Sequence, residues 1–175
     1  MRTEYTIPVQ LDASTFRRFC RFDMLRLRKR WVRPVVFALI LIAFALVALL
    51  SRRPEAGKIA AVLLVVGIGL PLVYFGSFFS QVNMQVERHQ LKPPRRVYTV
   101  KLNFDGVHVT NNQKDEGQLD VAWNDVQQAF RAKGCVYLYV TPVRAFLLPD
   151  GQADCEPEAL WAYIEKHMGA KAKRL

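Results

Sequence analysis

The sequence predicts an α+β membrane protein in which a two-helix transmembrane hairpin interrupts a small antiparallel β domain. Three features of the 175-residue chain lead to this prediction. Two apolar runs without a charged side chain, residues 34–50 and 59–79, are joined by only eight residues. Short segments of alternating apolar and polar residues fill the C-terminal third and are typical of β-strands. An amphipathic pattern then predicts one final helix.

Each apolar run is long enough to be a membrane span. The first span, residues 34–50, is near the shortest stretch that crosses a hydrocarbon core about 30 Å thick. The second span, residues 59–80, ends in aromatic side chains that are typical of the membrane interface. Because these spans are so close in sequence, we expect them to form an antiparallel pair.

The second span also contains residues that predict its shape and packing. Pro71 removes a backbone hydrogen bond to the carbonyl of Gly67, so a kink is expected there. The small residues Gly67, Gly69 and Gly76 permit close approach of another helix. That helix is either the first span of the same hairpin, which we favour, or a neighbouring protein.

A basic amphipathic helix is predicted before the first span, within residues 12–33. Asp12 and Ser14 are suitable N-caps, and the apolar side chains Phe16, Phe19 and Leu27 follow one helical face. Two placements are open: the helix lies on the membrane surface, or its apolar face packs on the β domain. In the first case, cationic side chains here and in the linker contact anionic lipid headgroups; these are Arg17, Arg18, Arg21, Arg28, Lys29, Arg33, Arg95 and Arg96.

Positive charge predicts the topology. Residues 17–33 carry eight Lys or Arg residues, whereas the loop between the spans carries three. The positive-inside bias therefore places both termini in the cytoplasm and the short loop outside. This arrangement leaves the N-terminal segment on the same side as the C-terminal domain.

Residues 3–11 predict an N-terminal strand, because Tyr5, Ile7, Val9 and Leu11 share one face. Pro8 cannot donate to a sheet ladder, so we expect an edge strand. Since a lone strand is not stable, it is expected to join the C-terminal sheet across the hairpin.

The C-terminal region predicts about six strands and a helix that starts near Pro157. Asp105-Gly106 is a typical type I′ hairpin turn. The predicted segments are an N-terminal strand (1–11), the basic helix (12–33), the first span (34–50), an external loop (51–58), the second span (59–80), a cytoplasmic extension and linker (81–96), the β domain with its helix (97–170) and a loose basic tail (171–175). The residues predicted to form the domain core are Phe104, Trp123, Leu138, Leu147 and Trp161.

Composition disfavours several classes of function. The net charge of +10 belongs to the membrane flanks, because residues 97–175 have nine basic and ten acidic residues. A nucleic-acid-binding domain is therefore not expected. Three cysteines and three histidines show no metal-ligand spacing, and we predict no metal, no cofactor and no catalytic residue. The acidic residues Asp115, Glu116, Asp120 and Asp125 are interpreted as a solvated loop.

The chain resembles the YcxB-like membrane proteins in its order of segments and in motifs within residues 100–150. These motifs are Phe104-Asp105-Gly106-Val107, Trp123 with Val126, Tyr137-Leu138-Tyr139 and Phe146-Leu147-Leu148-Pro149. The resemblance implies a bacterial cytoplasmic membrane protein. It also implies a C-terminal domain similar to pleckstrin-homology-like domains, with a partly open barrel and a C-terminal helical cap. It implies no reaction.

Three hypotheses of function follow. The preferred one is a membrane-tethered, non-catalytic interaction module that contacts anionic lipid headgroups and binds a protein or peptide at an exposed edge strand. The second is a structural subunit whose hairpin packs in a larger membrane complex or a homo-oligomer. An enzyme is third, because the sequence contains no phosphate-binding loop and no nucleophile motif.

Overall fold

A computed structural model describes residues 4–51, 54–111 and 117–175 of the protein. The fold is α+β, with two long apolar helices and two four-stranded sheets. The chain divides into two compact units, which we describe separately. The β domain contains the N-terminal residues up to Phe19 and the residues from Gln90 onwards, and the hairpin unit contains Cys20–His89.

The first sheet of the β domain is antiparallel, with the strand order β1-β2-β3-β4. Tyr5–Leu11 pairs with β2 along its whole length, so the N-terminal strand joins the C-terminal sheet across the inserted hairpin. It is an edge strand of this sheet, which suits Pro8. The strands are β1 (Tyr5–Leu11), β2 (Arg95–Leu102), β3 (Gly106–Asn111) and β4 (Gln118–Ala122).

The second sheet is mixed and has the order β7-β6-β5-β8. Its strands are β5 (Gln128–Ala132), β6 (Cys135–Tyr139), β7 (Ala145–Pro149) and β8 (Ala172–Arg174). β8 runs parallel to β5, which corrects two expectations: a purely antiparallel domain and a loose tail at residues 171–175. The tail is held because the Leu175 N–H donates to the Arg131 carbonyl at 3.1 Å and the Lys171 ammonium donates to the Val126 carbonyl at 3.0 Å.

Helix α4 (Pro157–Met168) lies between β7 and β8 in the chain, and its apolar stripe is buried. Trp123, Leu138, Leu147 and Trp161 are all buried in the β domain. Phe104, in contrast, is 72 % exposed, so its assignment to the core is wrong. Strand β2 ends at Leu102, and the alternation that pointed Phe104 inward ends with it.

The β2–β3 turn explains the position of Phe104. The Asn103 N–H donates to the Gly106 carbonyl at 3.1 Å, so the turn residues are Phe104 and Asp105. A type I′ turn needs a positive φ at both central residues. Phe104, Asp105 and Gly106 all have a negative φ, so the predicted type I′ turn is wrong. Gly106 is needed for a different reason: a Cβ there would lie 2.2 Å from the Val121 carbonyl oxygen in β4. Glycine therefore permits close approach of β4 rather than the turn.

Helix α1 (Ala13–Phe22) begins at a strong N-cap. The Asp12 carboxylate accepts hydrogen bonds from the Ser14 and Thr15 N–H groups at 3.3 and 3.2 Å. Further along the helix, the Phe19 ring lies 5.2 Å from the Tyr137 ring of β6. This contact shows that the apolar face of α1 packs on the β domain at Phe19, which decides between the two predicted placements for that part of the helix.

The chain between α1 and the first span is not one continuous helix, contrary to the expectation for residues 12–33. A π-helical turn, Asp23–Leu27, follows α1. Lys29 then adopts a positive φ of 46°, and the next helix starts at Val32. A guanidinium–carboxylate pair between Arg28 Nε and Asp23, at 2.9 Å, holds this turn.

The hairpin unit contains α2 (Val32–Leu50) and α3 (Ala56–Arg88), both long and apolar enough to cross a membrane. At 1.5 Å per residue they are about 28 Å and about 50 Å long. Only 11 % of each apolar window is buried. α3 continues through Pro71 as one helix and extends beyond the predicted end of the second span at residue 80.

The two helices meet along a seam of small residues. Ala38 and Ala45 of α2 are buried, as are Ala60 and Gly67 of α3, and both pairs are seven residues apart. A Cβ added to Gly67 would lie 3.3 Å from the Leu41 Cβ. The expected packing of small residues against the first span therefore holds for Gly67. It does not hold for Gly69 and Gly76, around which a Cβ would meet open space.

Candidate functional site

The candidate site is the outer edge of β4 together with the cavity beside it, and we call this the β4 edge site. The first sheet ends at β4, and no strand in the described part of the chain pairs with its outer side. The opposite edge strand of this sheet, β1, lies against β7 of the second sheet. β4 is thus the edge of the first sheet where an additional strand has room to pair.

The pairing register identifies the backbone groups that point outward. The Asn111 N–H donates to the Gly117 carbonyl at 2.9 Å, and the following pairs are Thr110 with Gln118 and Val109 with Leu119. Hydrogen-bonded and non-bonded pairs alternate along an antiparallel ladder. The backbone N–H and C=O groups of Gln118 and Asp120 therefore point away from β3. These four groups can bind an extended chain.

A cavity of about 290 Å³ adjoins the start of β4. Its walls come from both sheets: Tyr98 and Leu119 belong to the first, and Phe146 belongs to the second. The Tyr98 and Phe146 rings pack edge to face with centroids 5.3 Å apart. Arg144 lies at the rim, with its guanidinium carbon 5.3 Å from the Phe146 ring centroid. This cavity accommodates an apolar group and offers one cation to it.

Tyr98 fixes the position of the two sheets at this cavity. Its hydroxyl donates to the Leu147 carbonyl at 3.0 Å and accepts from the Leu147 N–H at 2.8 Å. Burial raises the pKa of Tyr98 well above its usual range. The phenol therefore remains protonated at neutral pH, and its role is structural.

Arg144 has no carboxylate partner among the described residues. It follows a tight turn in which its N–H donates to the Thr141 hydroxyl at 3.0 Å. By comparison, Arg131 of β5 forms a bidentate pair with Asp150, at 2.6 and 2.9 Å. The Asp150 contact is the largest cause that raises the pKa of Arg131. Arg144 is therefore the cation at the β4 edge site that remains open to an acidic group.

A polar cluster on the outer face of the first sheet positions β4. The Asp120 carboxylate lies 2.5 Å from His108 Nδ1, and the Asn103 side-chain oxygen lies 3.2 Å from His108 Nε2. The same Asn103 oxygen accepts the Gly106 N–H at 2.9 Å. These contacts join the β2–β3 turn, β3 and β4, so the edge strand is held in register.

The predicted lipid contacts are divided between the two units. Arg17, Arg18, Arg95 and Arg96 belong to the β domain, whereas Arg21, Arg28, Lys29 and Arg33 belong to the hairpin unit. Arg95 and Arg96 lie within β2 and not in a linker, and the Arg95 guanidinium donates to the Gln90 side chain at 2.9 Å. Arg28 is half-buried in its pair with Asp23, which argues against a role in lipid contact.

The described residues contain no group of three His, Cys, Asp or Glu side chains that is placed to hold a metal ion. Of the acidic loop, Asp115 and Glu116 lie outside the described residues, and Asp120 belongs to β4. Cys135 is buried, and burial together with the negative charge of Asp150 raises the pKa of its thiol to about 12. A thiolate nucleophile is therefore not present there at neutral pH.

Sequence reasoning proposed an exposed edge strand but did not identify which strand it is. It also missed Arg144, because a single arginine after Pro142 carries no pattern of its own. Only the packing of β7 on the first sheet, where the Tyr98 hydroxyl contacts Leu147, places this arginine beside Tyr98 and Leu119.

Comparison of the chain with protein-family models, curated proteins and solved structures found no match. The resemblance to the YcxB-like proteins therefore stays a prediction.

Proposed function

We propose that this protein is a membrane-tethered, non-catalytic interaction module whose β domain binds an extended segment of a partner protein along β4. The hairpin unit crosses the bacterial cytoplasmic membrane twice, and both termini are cytoplasmic. The single observation that carries the proposal is the outer edge of β4, which no described strand pairs with, beside a cavity with Arg144 at its rim.

The β domain is proposed to be a partly open barrel of the pleckstrin-homology-like kind, as in the YcxB-like proteins. Contacts of β1 and β2 with β7 support closure on one side. No strand of the described residues pairs with the outer side of β4, which supports an opening on the other side. A partner strand would extend the first sheet at this opening, which is how β-augmentation works.

The β4 edge site supplies both affinity and selectivity in this proposal. Four outward backbone groups, on Gln118 and Asp120, bind the peptide main chain, at about 0.5–1.5 kcal/mol net for each hydrogen bond. A side chain on the Leu119 face would lie beside the cavity. Arg144 would pair with a carboxylate, so we expect the bound segment to combine an apolar residue with an acidic one.

The test uses the full chain in nanodiscs and a phage-displayed library of random peptides. Peptides selected on the wild type are then measured against Asp120→Pro and Asp120→Ala. Both variants remove the carboxylate that contacts His108, but only proline removes the outward N–H and places a ring on the edge. We expect binding to weaken about tenfold or more, a change of about 1.4 kcal/mol, for Asp120→Pro alone. Equal binding by the two variants would contradict the proposal.

Arg144→Gln tests selectivity at the same site. Selected acidic peptides should lose affinity in this variant, whereas their amide analogues should bind wild type and variant alike. A loss of the same size for both peptide types would show that Arg144 supports the fold rather than pairs with the peptide.

The alternative is a structural subunit or homo-oligomer that forms through the hairpin. The open space around Gly69 and Gly76, seven residues apart on α3, favours this alternative. Crosslinking in native membranes distinguishes the two: a defined intramembrane partner at this face would support the subunit, and an uncomplexed hairpin would oppose it.

A further inference from the structure

A second cavity, of about 240 Å³, lies entirely within the hairpin unit. Polar side chains of α3 form one wall: Tyr74, Ser77 and Gln81. Residues of the turn before α2 form the other wall, where Arg30 and Asp23 contribute the charged groups. None of these residues except Asp23 has a role in the fold described above.

The depth of this cavity along α3 is defined by the sequence. Tyr74, Ser77 and Gln81 are three and four residues apart, so they share one helical face. The apolar stretch of α3 ends at Phe79, and polar residues follow from Ser80 onwards. The cavity therefore lies at the boundary between the apolar and polar parts of the helix, which is the level of lipid headgroups when the hairpin spans a bilayer.

Apart from Asp23, the polar side chains that line the cavity have no polar partner within the described residues. Arg30 forms no ion pair, and the side chains of Tyr74, Ser77 and Gln81 make no hydrogen bond there. Asp23 differs, because its carboxylate is already paired with Arg28 Nε at 2.9 Å. One guanidinium and several neutral donors therefore face the cavity without a compensating anion.

We propose that this cavity binds the phosphodiester headgroup of an anionic phospholipid. The Arg30 guanidinium pairs with the phosphate oxygens, as its planar donor geometry favours. The Tyr74 and Ser77 hydroxyls and the Gln81 amide donate to the remaining oxygens. The buried Met24 and the Phe78 ring contact the apolar glycerol ester region.

Local charge favours an anionic lipid over a zwitterionic one. Residues 23–33 contain five basic side chains and one acidic side chain. The ammonium group of a zwitterionic lipid would be repelled by this excess of positive charge, whereas phosphatidylglycerol carries no cationic group. The assignment rests on the proposed placement of the hairpin in a bilayer.

The test measures lipid retention by native mass spectrometry of the full chain in detergent, with added phosphatidylglycerol or phosphatidylcholine. We compare Arg30→Gln with Arg33→Gln, because Arg33 is exposed, lies on the same flank and does not line the cavity. Both variants lose one positive charge. We expect the wild type to retain phosphatidylglycerol preferentially, with about tenfold weaker binding for Arg30→Gln and little change for Arg33→Gln.

Three results would overturn the assignment. Equal weakening by the two arginine variants would show diffuse attraction, and equal retention of the two lipids would show no headgroup selectivity. Displacement of the lipid by millimolar glycerol phosphate would indicate a site for soluble phosphates. Ser77→Ala provides a second variant at the cavity that keeps the charge, and it should also weaken retention.

Alkaline extraction of native membranes separates this proposal from the proposed function. A protein that stays in the membrane but fails the lipid comparison overturns only the headgroup site. A protein that alkali removes from the membrane overturns the bilayer placement, and with it the headgroup site.

Discussion

The β domain buries its apolar side chains, whereas the hairpin unit exposes many of its own. In the β domain, Val100 and Leu138 are fully buried. In the hairpin unit, Leu39 and Phe44 are each 60 % exposed and Val65 is 72 % exposed. The same type of side chain therefore faces inward in the β domain and outward in the hairpin unit, as a water-exposed domain and the proposed membrane hairpin would each require.

This difference means that the two units are stabilised in different ways. Burial of apolar area stabilises the β domain, at about 25 cal/mol for each Å² removed from water. In the proposed bilayer the hairpin would have no comparable gain, because lipid is as apolar as leucine. The hairpin depends instead on close contact along the seam of small residues that contains Ala38, Ala45, Ala60 and Gly67.

The largest effect on stability is expected when one leucine of each unit is truncated to alanine. Leu138→Ala removes a fully buried side chain and should lower the free energy of unfolding of the β domain by about 2–5 kcal/mol. Leu46→Ala removes a side chain that is 55 % exposed and should have little effect. Denaturant unfolding of the full chain in detergent, followed by tryptophan fluorescence, measures both. Similar losses of unfolding free energy in the two variants would show that apolar burial does not distinguish the two units.

The next largest effect is expected at the seam of small residues between α2 and α3. Gly67→Leu places a side chain against Leu41 of α2 and should destabilise the helix pair by about 1–3 kcal/mol. Gly69→Leu makes the same change two residues away, where the space is open, and should be neutral or favourable because leucine has the higher helix propensity. Thermal loss of helical circular dichroism in detergent distinguishes them. A seam that tolerates Gly67→Leu would overturn the packing argument.

The smallest effect concerns the N-cap of α1, which Asp12→Ala removes at a cost of about 1 kcal/mol. Partial burial opposes ionisation of Asp12, but hydrogen bonds from Ser14 and Thr15 outweigh it and lower the pKa from 3.8 to about 2. Because the pKa is lowered in the folded state, the cap stabilises the folded protein fully at any pH above the ordinary pKa of 3.8. This contribution is lost as the pH falls towards 2.

Denaturant unfolding at neutral and acidic pH checks the prediction for Asp12. The difference between wild type and Asp12→Ala should shrink in acid. Asp125→Ala is the matched control, because Asp125 is exposed and its side chain makes no hydrogen bond within the described residues. A difference that is independent of pH would show that the cap does not act through its charge.

Local pattern predicted the elements whose residues alternate or repeat without interruption. The two uncharged runs became α2 and α3, and the alternation from Tyr5 to Leu11 placed β1. Periodicity is a property of the chain itself, so the solvent requirement of each segment can be predicted from sequence.

Other features depend on residues far apart in the chain. Gly106 is required by the carbonyl of Val121 and not by its own turn. Phe104 points to solvent because it lies in the turn that follows the end of β2. The tail forms β8 because β5 offers it an edge. Pairing of distant strands likewise decided that β4 is the open edge and that Arg144 lies beside it. Sequence alone thus determined which segments are apolar throughout and which alternate. Tertiary structure decided which edges and cations of the described residues remain unpaired, because pairing depends on partners that no local pattern identifies.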